Sequence, residues 1–326
     1  MSPAKTYLPI IYLACAIGFP GLSIGQSQLS TSKALFEERN FEKAKVILQS
    51  MPADHKDYTD AQYYLGRIAV EEKQYDLSVA KFEEAIELNP GVAEYHNWLG
   101  VMYGVVAIES NPLKQAYLAP RIKNEFEKAA AIDPDNIQTQ WGLVNYYVKA
   151  PGFLGGSWEK ALTSAKNISR LDKPQGMRAY AFVHAAQNKP DQAEKEYKSA
   201  IQAEPTNCDH VFALARFYED QKKYDKAMGL YEGVINNYPK NMVAAFYLGQ
   251  ASAHSGHKIE QGIHCLQQYL LYRPKPNEPT HSVAHLSLAM IYEKKGDLPQ
   301  AKKYYESSLL LHPGMREARE GLQRVN

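Results

Sequence analysis

Apolar positions along this chain recur at the spacing of an amphipathic helix, and the helical runs come in pairs closed by a proline. The last complete pair shows the pattern best. Leu288-Ala289-x2-Tyr292 leads to Gly296, then to Ala301-x3-Tyr305, and Pro313 closes the pair. Leu214-Ala215-x2-Tyr218 leads in the same way to Ala227-x3-Tyr231 and Pro239, and Tyr180-Ala181 leads to Ala193-x3-Tyr197 and Pro205. Leu248-Gly249 leads to Gly256, Gly262-x3-Leu266 and Pro274, with one extra residue near Lys258. Near the start, Leu65-Gly66 leads to Ser78-x3-Phe82, Ala85 and Pro90. Each slot has a physical role. Small residues in both helices let the two backbones cross at about 8–10 Å. The aromatics fill the wedge to the next pair, and the proline cannot continue the second helix. These slots take up part of the 23 tyrosines.

Two pairs break the period. His96-x-Trp98-Leu99-Gly100-x2-Tyr103 is a good first helix, but Phe126-x2-Ala129 and Pro134 arrive late, so the segment from Ile108 to Pro120 absorbs the excess as an insertion. Trp141-Gly142 with Tyr146-Tyr147 is followed late by Trp158-x2-Ala161-x3-Ala165. Between them lies Ala150-Pro151-Gly152-Phe153-Leu154-Gly155-Gly156-Ser157, a proline- and glycine-rich loop with Ser157 placed as an N-cap. Leu35 and Phe41-x2-Ala44-x3-Leu48 form a degenerate first unit, and Met315 to Val325 reads as a lone helix that caps the last pair.

This pattern resembles the tetratricopeptide repeat family, whose repeat runs over about 34 residues. The late pair of units, with Pro151-Gly152-x2-Gly155-Gly156 ahead of Lys160-Ala161, also resembles a subgroup of exported bacterial repeat proteins. The resemblance implies an all-α, right-handed α-solenoid of about eight antiparallel helical hairpins, each a helix A followed by a helix B. The expected units are 26–58, 59–92, 93–134, 135–173, 174–207, 208–241, 242–281 and 282–315, with a capping helix over 316–326. It also implies that ligands lie in a concave groove lined by the A helices. Mapped onto this sequence, the groove positions are Tyr63, Arg67, Asn97, Thr139, Tyr146, Arg178, Phe182, Phe212, Arg216, Phe246, Gln250, Leu286 and Met290. Rings supply buried area there, and guanidinium groups supply forked bonds to carboxylates. The competing use of each ring is packing against the neighbouring hairpin. Repeat domains that clamp a chaperone tail carry Lys and Asn at set groove slots; the early slots here hold Tyr63, Arg67 and Trp98, which argues against that use.

Composition changes little in this picture. The chain is 45% hydrophobic and 22% charged, which is ordinary for a folded soluble chain. Lys5 is the only charged residue before Gln26, so removing it from the 37 basic residues leaves 36 against 36 acidic ones. With no basic stripe, nucleic acid is not an expected partner. Lys5, the apolar run Tyr7 to Phe19, the breaker Pro20-Gly21 and the small residues Ser23-Ile24-Gly25 predict an export signal over 1–25, cleaved before Gln26. An uncleaved anchor over Tyr7 to Ile24 and lipidation at Cys15 remain as alternatives, and only these would bring a membrane into play. Cys208 and Cys265 are expected as two free thiols.

Candidate chemistry is sparse. His281 and His285 share a helix face at metal-ligand spacing, and His254, His257, His264 and Cys265 cluster at one turn, but neither set carries an internal acidic base. The glycines Gly152, Gly155 and Gly156 after Pro151 offer either an anion cradle or a tight turn; without a G-K-[ST] ending or a preceding strand they are not a P-loop. No nucleophile motif appears. The sequence therefore predicts a non-enzymatic scaffold without metal or cofactor, exported to the periplasm or beyond the cell, holding a protein or peptide in its groove. A structural, possibly membrane-tethered subunit of a secretion, pilus or polysaccharide-export assembly is the alternative.

Overall fold

A computed structural model describes residues 27–108, 110–275 and 278–326; the expected export signal lies outside these residues. The described residues are helical apart from turns and one short 3-10 segment, and they form two compact units. The first, up to Glu109, contains α1 (Gln28–Glu37), α2 (Phe41–Gln49), α3 (Tyr58–Glu71), α4 (Tyr75–Leu88) and α5 (Ala93–Ile108). The second, from Ser110, contains α6 (Pro112–Ile132), α7 (Ile137–Lys149), α8 (Trp158–Leu171), α9 (Lys173–Ala186), α10 (Pro190–Ala203) and α11 (Cys208–Asp220). It continues with α12 (Tyr224–Asn237), α13 (Met242–Ser255), α14 (Ile259–Leu271), α15 (His281–Lys295), α16 (Leu298–Leu311) and α17 (Arg316–Val325). Odd-numbered helices up to α15 are A helices and even-numbered ones are B helices.

Small side chains set the A–B crossings. A Cβ on Gly66 would stand 2.7 Å from the Phe82 ring, and one on Gly249 would stand 2.3 Å from Leu266. Ala227, Ala193 and Ala301 are fully buried at the matching point of helix B. The turns repeat as well. Helix A closes with a residue in the left-handed region: Arg39, Lys73, Asn188, Lys222, Gly256 and Gly296. At Arg39 the paired bonds of a Schellman close are made, from Arg39 N to the Phe36 carbonyl and from Asn40 N to the Leu35 carbonyl. Between hairpins, the proline that ends helix B is followed two residues later by an asparagine that caps the next helix A. Asn136, Asn207 and Asn241 accept from the amides of Thr139, Asp209 and Ala244 at 3.0–3.2 Å.

The first expected insertion differs from the sequence reading. The residues between Ile108 and Pro120 are not a loop in the A–B connection. α5 runs to Ile108, Asn111 caps a new helix by accepting from Lys114 N at 2.9 Å, and Pro120 sits inside α6. Proline is tolerated there because the carbonyl it leaves without a donor belongs to Ala116, an exposed residue where water can replace the bond. The second insertion is a loop, as expected, with Ser157 accepting from Lys160 N at 3.3 Å. The capping helix α17 buries Ala318, Gly321 and Val325; a Cβ on Gly321 would meet the Tyr305 ring at 2.2 Å.

Candidate functional site

Inside each unit, a helix A packed against helix B and the neighbouring hairpins of that unit leaves only a narrow stripe open. In the first unit the stripe on α3 is Asp60, Tyr64, Arg67 and Glu71, and on α5 it is Glu94, Trp98 and Val101; all are half-buried or exposed. In the second unit Arg216 on α11 is exposed, and Tyr247 and Gln250 on α13 are half-buried.

This geometry sorts the groove positions expected from sequence. Tyr63, Asn97, Thr139, Tyr146, Phe212 and Phe246 are buried, so they offer no surface to a partner. Two of the rings fill the wedge between hairpins, Tyr63 at 5.1 Å from Tyr95 and Phe212 at 5.2 Å from Tyr247, and Phe246 packs inside its own hairpin at 5.1 Å from Tyr269. Arg67, Arg178, Phe182, Arg216, Gln250, Leu286 and Met290 keep some exposure. Tyr64 and Tyr247 were missed as groove rings, whereas the sequence places Trp98 at an early groove slot. The signal was present in the spacing Asp60, Tyr64, Arg67, Glu71, which follows i, i+4, i+7, i+11 along one helical stripe.

A ring on one A helix receives a cation from the A helix before it. Lys33 lies 5.2 Å over Tyr64, Arg67 lies 4.1 Å over Trp98, and Arg216 lies 4.6 Å over Tyr247. In the first unit each such cation also meets a carboxylate of the next A helix: Lys33 with Asp60 at 3.5 Å and Arg67 with Glu94 at 3.8 Å. Arg67 donates to the Tyr63 hydroxyl at 2.7 Å as well. At the rim of the same unit Arg39 pairs with Glu71 at 3.0 Å. The second unit differs. Among the described residues, no carboxylate lies within 4.0 Å of Arg178 or Arg216. Arg216 donates to the Tyr247 hydroxyl, and the Nε of Arg178 is buried with no acceptor. Burial lowers the pKa of Arg178; Asp209 opposes this from a distance, while the like charge of Arg216 adds to it.

The other candidates resolve into packing. In the insertion loop, the amides of Leu154, Gly155, Gly156 and Ser157 all donate to backbone carbonyls, as a tight turn requires. A Cβ on Gly156 would lie 1.8 Å from the Ala150 carbonyl oxygen, so only glycine fits, and Gly155 adopts φ +96°. The Tyr146 hydroxyl anchors the loop by donating to the Leu154 carbonyl at 2.5 Å, while Phe153 is 87% exposed at its tip. His281 bonds the Tyr272 carbonyl at 2.8 Å, and His285 stacks on Tyr304, where burial lowers its pKa. His254 and His257 face Glu219 and Asp225 of the preceding hairpin. Among the described residues no group of three metal-ligating side chains comes together, and Cys208 and Cys265 are both free. A hollow of about 410 Å³ beside α3 is lined by Lys45 and Lys81, but these already bond Glu72 at 2.6 Å and Gln62 at 2.8 Å. No helix among the described residues is long and apolar enough to cross a membrane.

Comparison with known proteins places this architecture. Models of the tetratricopeptide repeat match residues 29–93 and 63–103, residues 184–248 and residues 283–314, together more than half of the chain. The chain is 23% identical over 223 residues to the antiviral innate immune response effector IFIT1 of Homo sapiens, covering 62% of this chain and 46% of that protein. It is 29% identical over 111 residues to superkiller complex protein 3 of Mus musculus, covering 34% of this chain and 7% of that one. It thus spans about half the length of the first relative and a small part of the second. Among solved structures, yeast Tom70 superposes with a TM-score of 0.68 at 15% identity, covering 94% of this chain and 65% of that one. A tetratricopeptide repeat protein of Parabacteroides merdae superposes at 0.57 and 12% identity, covering 91% and 97%. These superpositions show a shared fold. Proteins of this fold generally serve as non-catalytic scaffolds and commonly bind other proteins. The repeating crossings, the proline-to-asparagine junctions and the family matches agree: this chain belongs to the tetratricopeptide repeat family.

Proposed function

We propose that this protein is an exported, non-enzymatic scaffold that holds a partner polypeptide on the open stripe that the A helices of each unit present. The observation that carries this reading is the series of half-buried ring–cation stacks on that stripe, Tyr64 under Lys33, Trp98 under Arg67 and Tyr247 under Arg216. Half-buried rings fixed by a cation and by neighbouring rings offer contact area at small entropic cost, and Trp, Tyr and Arg are the side chains that dominate protein interfaces. The remaining polar chemistry supports the same reading. Tyrosine hydroxyls bond carboxylates between helices, as Tyr147 bonds Glu127 at 2.7 Å and Tyr231 bonds Glu219 at 2.6 Å, so these acids serve packing. Export rests on the short cationic and apolar start of the chain.

The test is site-specific photo-crosslinking in cells. A photoreactive residue at Tyr64, Trp98 or Tyr247 should capture discrete partner bands that the exposed helix B positions Val46 and Leu310 do not. Identical capture from both sets would sink the groove reading. Mass spectrometry of the mature N-terminus checks export, with a chain beginning at Gln26 as the expected product.

A further inference from the structure

We infer that the second unit docks on an anionic lipid surface through the start of α6 and the tip of the insertion loop. This surface is separate from the stripe of the scaffold reading, since α6 is a B helix and the loop joins α7 to α8. Every residue from Pro112 to Tyr117 is exposed, so the first turns of α6 stand clear of the hairpins. Helical turns without packing are marginal in water. These turns carry Leu113, 83% exposed, and Tyr117 at i and i+4 on one face. α6 and α7 are joined by a short turn and pack on each other, so the start of α6 and the loop after α7 share one end of the unit. The Lys123 side chain reaches that loop, where a Cβ on Gly155 would stand 3.3 Å from it. Along α6, Tyr117 stands about 9 Å and Leu113 about 15 Å from Lys123. The loop holds Phe153 outward at its tip, and Trp158 is exposed just after it. The bond from the Tyr146 hydroxyl to the Leu154 carbonyl fixes this arrangement, so ordering Phe153 for a contact costs little.

Charge selects the occupant. From Ser110 to Asn124 the chain holds Lys114, Arg121 and Lys123 and no acid, and from Val148 to Trp158 it holds Lys149 and no acid, in a chain that is otherwise balanced. Among the described residues Lys114, Lys123 and Lys149 form no ion pair, while the next acids along α6, Glu125 and Glu127, are taken by Lys128 and Lys160. Arg121 lies 4.5 Å over the Tyr117 ring. Projecting leucine and aromatic side chains interspersed with cations match the boundary of an anionic bilayer, where the apolar groups enter the acyl edge and the amines meet phosphate. A two-fold contact with a second copy would set these cations against their own images, with no acid on the patch to offset them. The apolar side chains stand on a helix and on a separate loop at one end of the unit, which suits a broad, flat surface better than a single protein cleft.

The test is flotation of the chain from Gln26, which lacks the apolar start, with vesicles of phosphatidylcholine alone or mixed equally with phosphatidylglycerol. The protein should float with the mixed vesicles and not with the neutral ones, and raised salt should release it. Phe153→Asp, Leu113→Asp, and Lys114→Glu combined with Lys149→Glu should each weaken binding roughly tenfold. Their melting curves should not change, because all four side chains are exposed. Leu271→Asp and Leu310→Asp, similarly exposed in the same unit, should have no effect. Absence of flotation, equal flotation with neutral vesicles, or binding that survives Phe153→Asp combined with Leu113→Asp overturns the inference. Concentration-dependent dimerisation abolished by Phe153→Asp, in place of vesicle binding, assigns the patch to a second copy. Photo-crosslinks from position 153 in cells to one discrete protein, in place of lipid, assign it to a protein partner; either result overturns the lipid assignment. The crosslinks expected at Tyr64, Trp98 and Tyr247 test the scaffold reading separately and stand or fall without this patch.

Discussion

The two units use the same hairpin and treat charge on the A helices in opposite ways. In the first unit the cations of the open stripe are tied to carboxylates of the next A helix, Lys33 to Asp60 and Arg67 to Glu94. The stripe there is a self-contained network that joins hairpins. In the second unit Arg178 and Arg216 stand without such partners, although the unit contains acids enough to pair its outer cations, as at Lys160 with Glu127 and Lys258 with Glu232. Unpaired charge in an enclosed place adds nothing to folding. The contrast therefore separates a stripe whose cations are paired with carboxylates from one in which Arg216 rests on a tyrosine and Arg178 is enclosed without an acceptor.

That contrast is meaningful only if the crossings beneath the two stripes are alike, and the largest predicted effects test this. Gly66→Leu would drive a side chain into Phe82, and Ala227→Leu would overfill a fully buried crossing in the second unit. Each should cost about 1–3 kcal/mol by overpacking. Peptide-level hydrogen exchange should show faster exchange in α3 and α4 for the first variant and in α11 and α12 for the second. An unchanged melting curve for either would mean that its crossing is not where the repeat places it.

The next pair of variants addresses the charges directly. Arg67→Ala removes a bond to Tyr63, a cover over Trp98 and the neighbour of Glu94, and should destabilise the protein by about 1–2 kcal/mol. Arg178→Met keeps the bulk, removes an enclosed charge with no acceptor, and should be neutral or stabilising in thermal melts. Equal losses from both variants would erase the distinction between the stripes.

The hairpins were legible in the sequence because their constraints are local. A glycine facing Phe82, or an alanine at a crossing, is dictated by residues of the same repeat, and periodicity reports it directly. The groove was legible only in part. Tyr63 and Tyr64 are adjacent and chemically identical, and which of them is buried depends on how the next hairpin leans against α3. The family mapping therefore named Tyr63, whose ring lies against Tyr95, and passed over the open Tyr64. The segment from Ile108 to Pro120 misled for another reason. Its prolines read as breaks, but one stands at the first position of α6 and the other where solvent can take over the lost bond. The missing partner of Arg178 has no trace in the sequence at all, since it is a property of how α7, α9 and α11 meet.

A smaller effect bears on how the second unit is closed. The Arg324 fork is the main reason why the Glu293 carboxyl is held below the usual range; burial opposes it and the Tyr305 hydroxyl reinforces it. A carboxylate whose folded pKa lies below its unfolded value contributes stability above the unfolded value, about 4.5, and loses it as pH falls through the folded one. Glu127 and Glu194 in the same unit are depressed too, whereas Glu84 is the carboxylate so shifted among the described residues of the first. Acid should therefore loosen the second unit more than the first. Glu293→Gln should cost about 1 kcal/mol at neutral pH, a modest figure because Arg324 is largely exposed, and should flatten the decline in melting temperature below about pH 4.5.

The smallest prediction asks whether the units differ anywhere but on the stripe. Lys73 in the first and Lys222 in the second both close helix A at φ +59°, a conformation that costs a side-chain-bearing residue and not glycine. Among the described residues neither lysine forms an ion pair, so replacing it removes strain and little else. Lys73→Gly and Lys222→Gly should each stabilise by up to about 1 kcal/mol at the turn, less the added freedom of glycine in the unfolded chain. The two gains should match within about 0.5 kcal/mol. A gain at one turn and a loss at the other would show that the hairpins themselves differ between the units, and the missing acceptor of Arg178 would then be one consequence of that difference.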